Sequence, residues 1–171
     1  SWICGVFYYE YNKENMDTFK REVLRLCEDK KTIFIFVSKD DEVDTHAIIR
    51  ELLEHGKRIV VPICEESSKT LVLSEIVSLE DLAEGTYSIL EPQEIRSVSK
   101  DDVDIFFVPG RLFDHEGNRK GRGMGYFDRF LHDVDEAKLI VGLCYDDQLV
   151  EHIESQPWDV SVDQIITKER S

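Results

Sequence analysis

A glycine-rich, basic segment at positions 109–128, PGRLFDHEGNRKGRGMGYFD, is the part of this 171-residue chain best suited to chemistry. Gly121, Gly123 and Gly125 occupy alternate positions, and such glycines let the backbone approach a ligand closely and turn N–H groups toward an anion. The same segment carries four cations, Arg111, Arg119, Lys120 and Arg122. Because the chain as a whole is acidic, this local reversal of charge predicts a phosphate-binding loop.

The end of the segment adds groups that would suit a nucleotide site. Tyr126 and Phe127 present aromatic faces directly after the last glycine, and Asp128 offers a hard oxygen ligand for Mg²⁺. The spacing is neither that of a P-loop, because no G-K-[ST] follows, nor that of the dinucleotide fingerprint G-x-G-x-x-G. On the glycine pattern alone, a surface loop with solvated arginines remains the alternative.

The overall charge excludes several classes of partner. The chain has 21 Lys and Arg against 36 Asp and Glu, a net charge of −15, and a pI near 4.7. Such a protein repels a nucleic-acid backbone and an anionic membrane surface. In addition, no apolar run approaches the roughly 20 residues of a membrane span. We therefore expect neither nucleic acid nor a membrane as a partner.

The cysteines and histidines predict a reducing compartment and no metal cluster. Cys4, Cys27, Cys64 and Cys144 are widely separated and form no C-x-x-C pair, which is typical of small buried residues rather than of disulfides or a zinc site. The five histidines have no ligand spacing, and we expect them to be structural or exposed. A cytoplasmic location follows as the expectation.

The elements that would position the loop begin with a βαβ unit. Apolar residues at i+3 and i+4 spacing predict helices over Asp17–Glu28 and Thr45–His55. Continuous apolar runs predict buried strands at Thr32–Val37 and Arg58–Pro62. A strand, a helix and a strand within about 30 residues indicate parallel strands joined by a right-handed crossover.

The second half continues the alternation around the basic segment. Strands are predicted at Val103–Val108, Leu139–Cys144 and Ile165–Ile166, a helix at Tyr126–His132, and a short helix at Gln148–Ile153. The less regular stretch 67–100 carries a weak strand at Leu71–Ile76, a helical turn at Leu79–Leu82 and a chain break at Glu91-Pro92.

The pattern predicts one α/β domain over residues 1–171. Its doubly wound, mostly parallel, Rossmann-like sheet would carry helices on both faces. Ligands of such sheets bind beyond the carboxyl ends of the strands, and the basic segment leaves the carboxyl end of the Val103–Val108 strand.

The basic segment also resembles the signature of the 5-formyltetrahydrofolate cyclo-ligase family (5,10-methenyltetrahydrofolate synthetases). That signature runs P-G-x-x-F-D, then G-x-R-x-G-x-G-x-G-Y-Y-D-R. The matching residues are Pro109, Gly110, Phe113, Asp114, Gly117, Arg119, Gly121, Gly123, Gly125, Tyr126, Asp128 and Arg129. Further similarity lies in Phe36–Ser38, Glu42–Thr45, Arg58–Pro62, Glu91-Pro92, Gln148-Leu149 and Asp159–Thr167, in the same order over about four fifths of the chain.

The resemblance implies a fold of the NagB/RpiA/CoA-transferase-like kind and an ATP-dependent reaction. The family closes the ring of 5-formyltetrahydrofolate to 5,10-methenyltetrahydrofolate, releasing ADP and phosphate, with phosphorylation of the formyl oxygen before N10 attacks. ATP would be the co-substrate, Mg²⁺ the cofactor, and 5-formyltetrahydrofolate, with or without a polyglutamate tail, the substrate of a monomeric ligase.

The resemblance also implies roles for individual residues. Catalysis would rest on Arg119, Arg122 and Tyr126, and Mg²⁺ would be held by Asp128 and Asp159. ATP would contact Arg119, Lys120, Gly121, Arg122, Gly123, Met124, Gly125, Tyr126 and Phe127. The folate would contact Val37, Glu42, Arg122, Gly123, Met124, Gly125 and Tyr126. From the sequence alone, Asp159 could equally be a solvated acid, and Glu42 a residue at the start of a helix.

Departures from the family pattern leave two other functions open. Nothing upstream of Asp17 matches the family's basic N-terminal helix, and Met124 stands where some members carry lysine. One alternative is a catalytically weak paralogue that binds folate or nucleotide as a sensor or sequestering protein. The other is an unrelated sugar-phosphate or acyl-CoA enzyme on a similar sheet, since a fold does not fix a function.

Overall fold

The computed structural model of this protein describes residues 17–170. Its α-helices and β-strands in chain order are α1 (Thr18–Cys27), β1 (Thr32–Ile35), α2 (His46–Glu54), β2 (Arg58–Glu65), β3 (Thr70–Ile76), β4 (Leu82–Glu84), β5 (Leu90–Pro92), β6 (Ile105–Val108), β7 (Leu112–Asp114), β8 (Arg119–Lys120), α3 (Tyr126–His132), β9 (Leu139–Tyr145), β10 (Leu149–Val150) and β11 (Gln164–Lys168). Single 3₁₀ turns lie at Leu79–Asp81, Thr86–Ser88, Lys100–Asp102 and Asp146–Gln148.

The main sheet has six strands in the order β11-β9-β6-β1-β2-β3. All neighbouring strands pair in parallel except β3, which returns antiparallel to β2 at one edge. The central strands β1 and β6 are buried at every position, which is why they read as continuous apolar runs in the sequence. The expectation of a mostly parallel sheet is confirmed.

Helices cover both faces of the sheet, as expected for a doubly wound fold. On one face α1 and α2 pack against the strands through side chains such as Val23, Ile49 and Leu52. On the other face α3 contributes Phe130, whose ring stacks on Phe34 of β1 with centroids 4.9 Å apart. Burial of apolar surface on both sides of one sheet supplies the main stabilisation.

The order of the strands reverses between β1 and β6. From β1 the chain runs through α2 to β2 on one side, whereas from β6 it runs through α3 to β9 on the other. The loops that leave the carboxyl ends of β1 and β6 therefore diverge and leave a crevice between them. This switch point is where ligands bind in open parallel sheets.

The predicted helix at Gln148–Ile153 is wrong. The chain there forms the 3₁₀ turn Asp146–Gln148 and then strand β10, which pairs in parallel with β7. The Gln148 side chain explains the difference, because its Oε1 accepts from the Tyr145 N–H and its Nε2 donates to the carbonyls of Gly110 and Arg111. These tertiary contacts outweigh the local helical pattern.

Other differences concern the ends of elements. The strand predicted to begin at Val103 begins at Ile105, because the Asp104 carboxylate accepts from the N–H groups of Lys31 and Thr32 instead. Glu91-Pro92 does not interrupt the chain but ends the small strand β5, which pairs antiparallel with β4. A proline is tolerated at such a terminal strand position because no ladder donor is required of it.

The expectation that the chain lacks the family's basic N-terminal helix concerns residues upstream of Asp17, which lie outside the described part of the chain. Within residues 17–170, no helix combines the length and the apolar character needed to cross a membrane. The three cysteines of that part, Cys27, Cys64 and Cys144, are free thiols, and Cys27 and Cys144 are buried.

Candidate functional site

A cavity of about 280 Å³ lies beyond the carboxyl ends of β1, β2 and β6, at the switch point of the sheet. Its walls are formed by the loop after β1, the end of β2, the start of β3, the turn that precedes β5, and the basic segment after β6. The lining residues are Phe36, Val37, Lys39, Glu42, Pro62, Cys64, Leu71, Tyr87, Ile89, Pro109, Gly110, Arg119, Gly121, Arg122, Met124, Gly125, Tyr126, Phe127 and Asp128.

Arg119 is the most buried cation of this site. Only 5% of its side chain is exposed, its Nε donates to the Pro109 carbonyl at 2.6 Å, and its Nη1 donates to Asp128 Oδ1 at 3.1 Å. The guanidinium also lies over the Phe127 ring, 5.4 Å from its centroid. Burial lowers the pKa of Arg119, whereas Asp128 and Glu42 oppose that shift. An arginine in these surroundings remains charged and is held ready for an anion.

Arg122 is the more exposed cation and lies at the rim. Its Nη2 donates to Asp41 Oδ2 at 2.8 Å and lies 3.9 Å from Glu42 Oε2. Hydrogen bonding to Asp41 raises the pKa of Arg122 and lowers that of Asp41. Exposed ion pairs contribute little to stability, so an incoming phosphate can exchange with Asp41 at small cost.

Glu42 lies on the opposite wall, in the loop that follows β1. Its side chain is 11% exposed, and its Oε1 accepts from the Lys39 backbone N–H at 2.9 Å. Desolvation raises the pKa of Glu42 above its usual range, against the opposing effects of that hydrogen bond and of Arg122. Next to it, the buried side chain of Val37 adds an apolar surface. This wall can therefore accept hydrogen bonds from the N–H groups of a ligand and contact an apolar ring of the same ligand.

The glycine loop turns sharply into α3 and is fixed there by Arg129. Gly125 has a φ of +75°, which favours glycine, and a Cβ at this position would lie 2.8 Å from Arg129 Nη1. Arg129 donates from Nη2 to the Met124 carbonyl and from Nε to the Lys69 carbonyl. The glycine loop is thus attached to the turn between β2 and β3.

Tyr126 projects from the first position of α3 into the cavity and pairs with a second tyrosine. The two hydroxyl oxygens of Tyr126 and Tyr87 lie 3.2 Å apart, and their rings meet edge to face at 6.0 Å. This hydrogen bond, together with desolvation, raises the pKa of Tyr126. The Tyr126 phenol is therefore neutral near pH 7 and can donate or accept hydrogen bonds.

Asp114 fixes the hairpin that carries Arg119. The residue is fully buried at the end of β7, and its two carboxylate oxygens accept four hydrogen bonds. The donors are the backbone N–H groups of Glu116, Asn118 and Ile153 and the side-chain amide of Asn118. Because β8 begins at Arg119, these bonds determine where the guanidinium lies.

Most of the residues predicted for the site line this cavity, and three do not. Lys120 and Gly123 are both exposed, and neither is among the residues that line the cavity. Asp159 lies in an exposed turn, where its Oδ2 accepts from the Gln156 N–H at 2.7 Å. The roles predicted for these three residues stay predictions.

Several lining residues were absent from the sequence-based assignment, among them Lys39 and Tyr87. Lys39 follows β1 between Val37 and Glu42, and its position at a strand's carboxyl end was a signal that could have identified it. Tyr87 lies in the stretch 67–100, whose sequence pattern is irregular, so only the tertiary structure brings it to the cavity.

The described residues contain no group of three or more His, Cys, Asp or Glu arranged to hold a metal ion. Asp128, the carboxylate at the end of the basic segment, lines the cavity with 48% of its side chain exposed. Mg²⁺ is commonly held by one or two carboxylates together with phosphate oxygens and water. The donor set fits an ion that arrives with a nucleotide better than an ion held by protein ligands alone.

Comparison with known proteins agrees with this geometry. A sequence model of the 5-formyltetrahydrofolate cyclo-ligase family matches residues 8–168. The chain belongs to that family. A mitochondrial 5-formyltetrahydrofolate cyclo-ligase of Arabidopsis thaliana is 34% identical over 74% of this chain, and the match spans 54% of the plant protein, about half its length. The Mus musculus 5-formyltetrahydrofolate cyclo-ligase is 30% identical over 81% of this chain and 74% of its own.

The fold of the cyclo-ligase family agrees as well. The solution structure of Aquifex aeolicus 5,10-methenyltetrahydrofolate synthetase, determined by NMR, superposes with a TM-score of 0.72 and 30% sequence identity. The superposed region covers 92% of this chain and 84% of the Aquifex aeolicus chain. The family resemblance and the fold class predicted from the sequence are both confirmed, and family membership favours the cyclo-ligase interpretation over an unrelated enzyme on a similar sheet.

Proposed function

We propose that this protein is an ATP-dependent 5-formyltetrahydrofolate cyclo-ligase. The formyl oxygen attacks the γ-phosphorus of ATP and ADP leaves, which gives a phosphorylated imidate. N10 then attacks the formyl carbon and loses its proton, the ring closes, and phosphate leaves with the former formyl oxygen. The observation that carries this proposal is the convergence of the family's motif residues, from Val37 and Glu42 to Arg119 and Tyr126, on one cavity at the switch point of the sheet.

The cationic side of the cavity would serve phosphoryl transfer. Such transfer depends on positioning and on neutralising charge rather than on covalent chemistry by the protein. Arg119 would contact the transferred phosphoryl group from its fixed, buried position, and Arg122 would exchange Asp41 for a phosphate oxygen at the rim. The backbone of Gly121 and Gly125 would allow the phosphates to approach closely.

The opposite side would hold the folate. Glu42 would accept hydrogen bonds from the pterin N–H groups, and Val37, with Phe36 and Pro62, would contact the ring system. Tyr126, between the two sides, would lie beside the formyl group. Its phenol is neutral near pH 7 and so would donate a hydrogen bond without adding negative charge beside the phosphates.

Mg²⁺ would be the cofactor, held by Asp128 and phosphate oxygens, with Asp159 as the second carboxylate implied by family resemblance. When bound, the ion would neutralise charge on the nucleotide. Asp128 would have to share its carboxylate with Arg119, which already donates to Oδ1. The half-exposed side chain of Asp128 leaves access for such a ligand.

The direct test uses purified protein, ATP, Mg²⁺ and 5-formyltetrahydrofolate, with the absorbance of the methenyl product followed over time. We expect product to form in proportion to enzyme and to require both ATP and Mg²⁺. Absence of product at high enzyme concentration would contradict the proposal. Binding of folate or ATP without any product would instead favour the alternative of a sensor or sequestering paralogue.

Replacing Glu42 with glutamine tests the folate side. The variant keeps the shape but loses the charge that accepts pterin N–H groups, so we expect KM for 5-formyltetrahydrofolate to rise about tenfold with little change in KM for ATP. Because burial raises the pKa of Glu42, the wild-type KM should also rise as the pH falls toward that pKa. The glutamine variant should lack this rise, and a parallel pH dependence in both proteins would contradict the assignment.

The two proposed metal ligands can be separated by substitution. We expect Asp128→Asn to raise the Mg²⁺ concentration for half-maximal activity at least about tenfold, because a charged ligand of the ion becomes neutral. Asp159→Asn, titrated in the same way, tests the second carboxylate. An unchanged Mg²⁺ requirement would exclude Asp159 from the metal site, and an unchanged requirement in Asp128→Asn would exclude Asp128.

We further propose a cytoplasmic monomer that accepts the folate with or without a polyglutamate tail. The three free thiols of the described residues support a reducing compartment. Sedimentation of the purified protein would test the monomer, and a comparison of KM for mono- and polyglutamylated substrate would test the tail.

A further inference from the structure

One wall of the cavity is a short turn whose backbone is strained. Tyr87 and Ser88, between β4 and β5, have φ values of 57° and 59°, a region that residues other than glycine rarely adopt. The turn is closed by the Gly85 N–H, which donates to the Ile89 carbonyl at 2.8 Å. Strain of this kind persists only where the surroundings impose it, and it clusters at functional sites.

The Glu91 carboxylate lies between the turn and β2 and accepts hydrogen bonds from both. Its side chain is buried, and its Oε1 accepts from the Thr86 N–H at 3.3 Å, directly before Tyr87. Its Oε2 accepts from the Cys64 N–H at 2.7 Å, in the wall-forming part of β2. One carboxylate therefore connects the turn to the strand on which the cavity is built.

Gly85 shows how closely the carboxylate and the turn fit together. A Cβ on Gly85 would collide with the Oε1, carboxyl carbon and Cγ atoms of Glu91. The φ of Gly85 is −123°, so the glycine is required here by the close approach of Glu91 and not by a left-handed backbone. A second contact comes from the loop after β1, where Lys39 Nζ donates to the Tyr87 carbonyl at 3.1 Å. This hydrogen bond joins the turn to that loop.

We propose that Glu91 is a positioning residue for the folate side of the site, acting through Tyr87. Its buried carboxylate holds Tyr87 in the left-handed conformation that brings the phenol hydroxyl to Tyr126 and closes the cavity wall. Glu91 itself is not among the lining residues, so it would act on the ligand only through Tyr87. The identity of the ligand, 5-formyltetrahydrofolate, rests on the proposed function.

The test measures binding of 5-formyltetrahydrofolate by calorimetry without ATP, beside steady-state kinetics. We expect Glu91→Gln to raise Kd and KM about tenfold and to change kcat less than threefold, because one amide cannot accept from both N–H groups. Tyr87→Ala, at a residue 39% exposed, should raise Kd to a similar degree. Glu94→Gln is the control, because its exposed side chain pairs only with Arg96 in the described structure, and Kd should stay unchanged.

A double-variant cycle separates positioning from a merely structural role. If Glu91 acts through Tyr87, Glu91→Gln in the Tyr87→Ala background should raise Kd less than twofold further. If the two substitutions act independently, the Kd of the double variant should be about a hundredfold above that of wild type, and this result would overturn the proposal. A Glu91→Gln single variant whose Kd equals that of wild type would also overturn it. If Glu91→Gln fails to fold, Gly85→Ala displaces the same carboxylate, and the cycle is run with it. If that variant also fails to fold, Glu91 is structural and the proposal is wrong.

Failure of the role proposed for Glu91 and failure of the proposed cyclo-ligase activity give different experimental results. Wild-type protein that binds 5-formyltetrahydrofolate but forms no product would contradict the cyclo-ligase activity and leave the comparison of Kd values valid. Wild-type protein that forms product while Glu91→Gln behaves as Glu94→Gln does would overturn the positioning role alone. Wild-type protein that binds no 5-formyltetrahydrofolate would overturn both.

Discussion

Replacing Arg119 with alanine should lower kcat/KM for ATP-dependent formation of the methenyl product by about 1,000-fold or more. The guanidinium is held on three sides, by the Pro109 carbonyl, Asp128 and the Phe127 ring, and is 5% exposed. A preorganised charge in a site with little water stabilises a transferred phosphoryl group without reorganisation. A thousandfold loss corresponds to about 4 kcal/mol of transition-state stabilisation.

Arg119→Lys should not restore turnover, because an ammonium cannot reproduce both the donation to the Pro109 carbonyl and the fork toward a phosphate. Arg111→Ala is the matched control from the same segment, since its side chain is exposed and does not line the cavity. We expect its kcat/KM to stay within about twofold of wild type. Turnover of Arg119→Ala within a few-fold of wild type, with circular dichroism unchanged, would show that the phosphate role is misassigned.

Replacing Asp114 with asparagine should lower the free energy of unfolding by about 3 kcal/mol. Each carboxylate oxygen of Asp114 accepts two hydrogen bonds, from Glu116 and Asn118 at Oδ1 and from Asn118 and Ile153 at Oδ2. In either orientation the amide NH₂ of the variant would face two N–H donors in a fully buried position. Urea unfolding followed by circular dichroism measures the loss.

Asp135→Asn serves as the control, because its exposed carboxylate accepts one bond from the Ala137 N–H and the change should cost less than about 1 kcal/mol. A loss in Asp114→Asn no larger than in this control would contradict the structural role assigned to Asp114.

The Asp114 effect should depend on pH in a defined direction. Burial alone raises the pKa of Asp114, but the hydrogen bonds from Asn118, Ile153 and Glu116 lower it below its usual range overall. A carboxyl whose pKa is lower in the folded state contributes stability above its unfolded pKa of about 3.9, and this is lost as the pH falls through the folded pKa. The difference between wild type and Asp114→Asn should therefore be full at pH 7 and smaller at pH 3.

Sequence patterns predicted the main sheet and its helices correctly, because a strand that is buried on both faces appears in the sequence as a continuous run of apolar residues. The runs TIFI and IFFV are fully buried strands, and the helices around Ile49 and Phe130 carry the expected apolar faces. The pattern failed at Gln148–Ile153, where three apolar residues allow either a helix turn or a strand. There the choice was made by Gln148 reaching Gly110 and Arg111, residues almost forty positions earlier.

The candidate site divides in the same way. The clustering of its basic segment was predictable from the sequence, because glycines, arginines and an acid within one short segment must lie close together in any fold. Tyr87 was not predictable, because it reaches the cavity from an irregular segment remote from the basic loop. Lys39 was missed although it follows β1 between Val37 and Glu42. In the structure, Lys120 and Gly123 do not line the cavity, although Arg119, Gly121, Arg122 and Met124 do. This difference between neighbouring residues depends on the local path of the backbone.

By itself the sequence determined the class of sheet, the basic loop proposed to bind an anion and the family signature, since these depend on local composition and on periodicity. Only the tertiary structure decided that Glu42 lies opposite Arg119 in one cavity, that Asp114 holds the hairpin and that Glu91 supports Tyr87. Hydrogen bonds such as that between Cys64 and Glu91 join residues 27 positions apart. Whether two such groups meet depends on how the whole chain packs, and this is the physical reason why no local pattern encodes them.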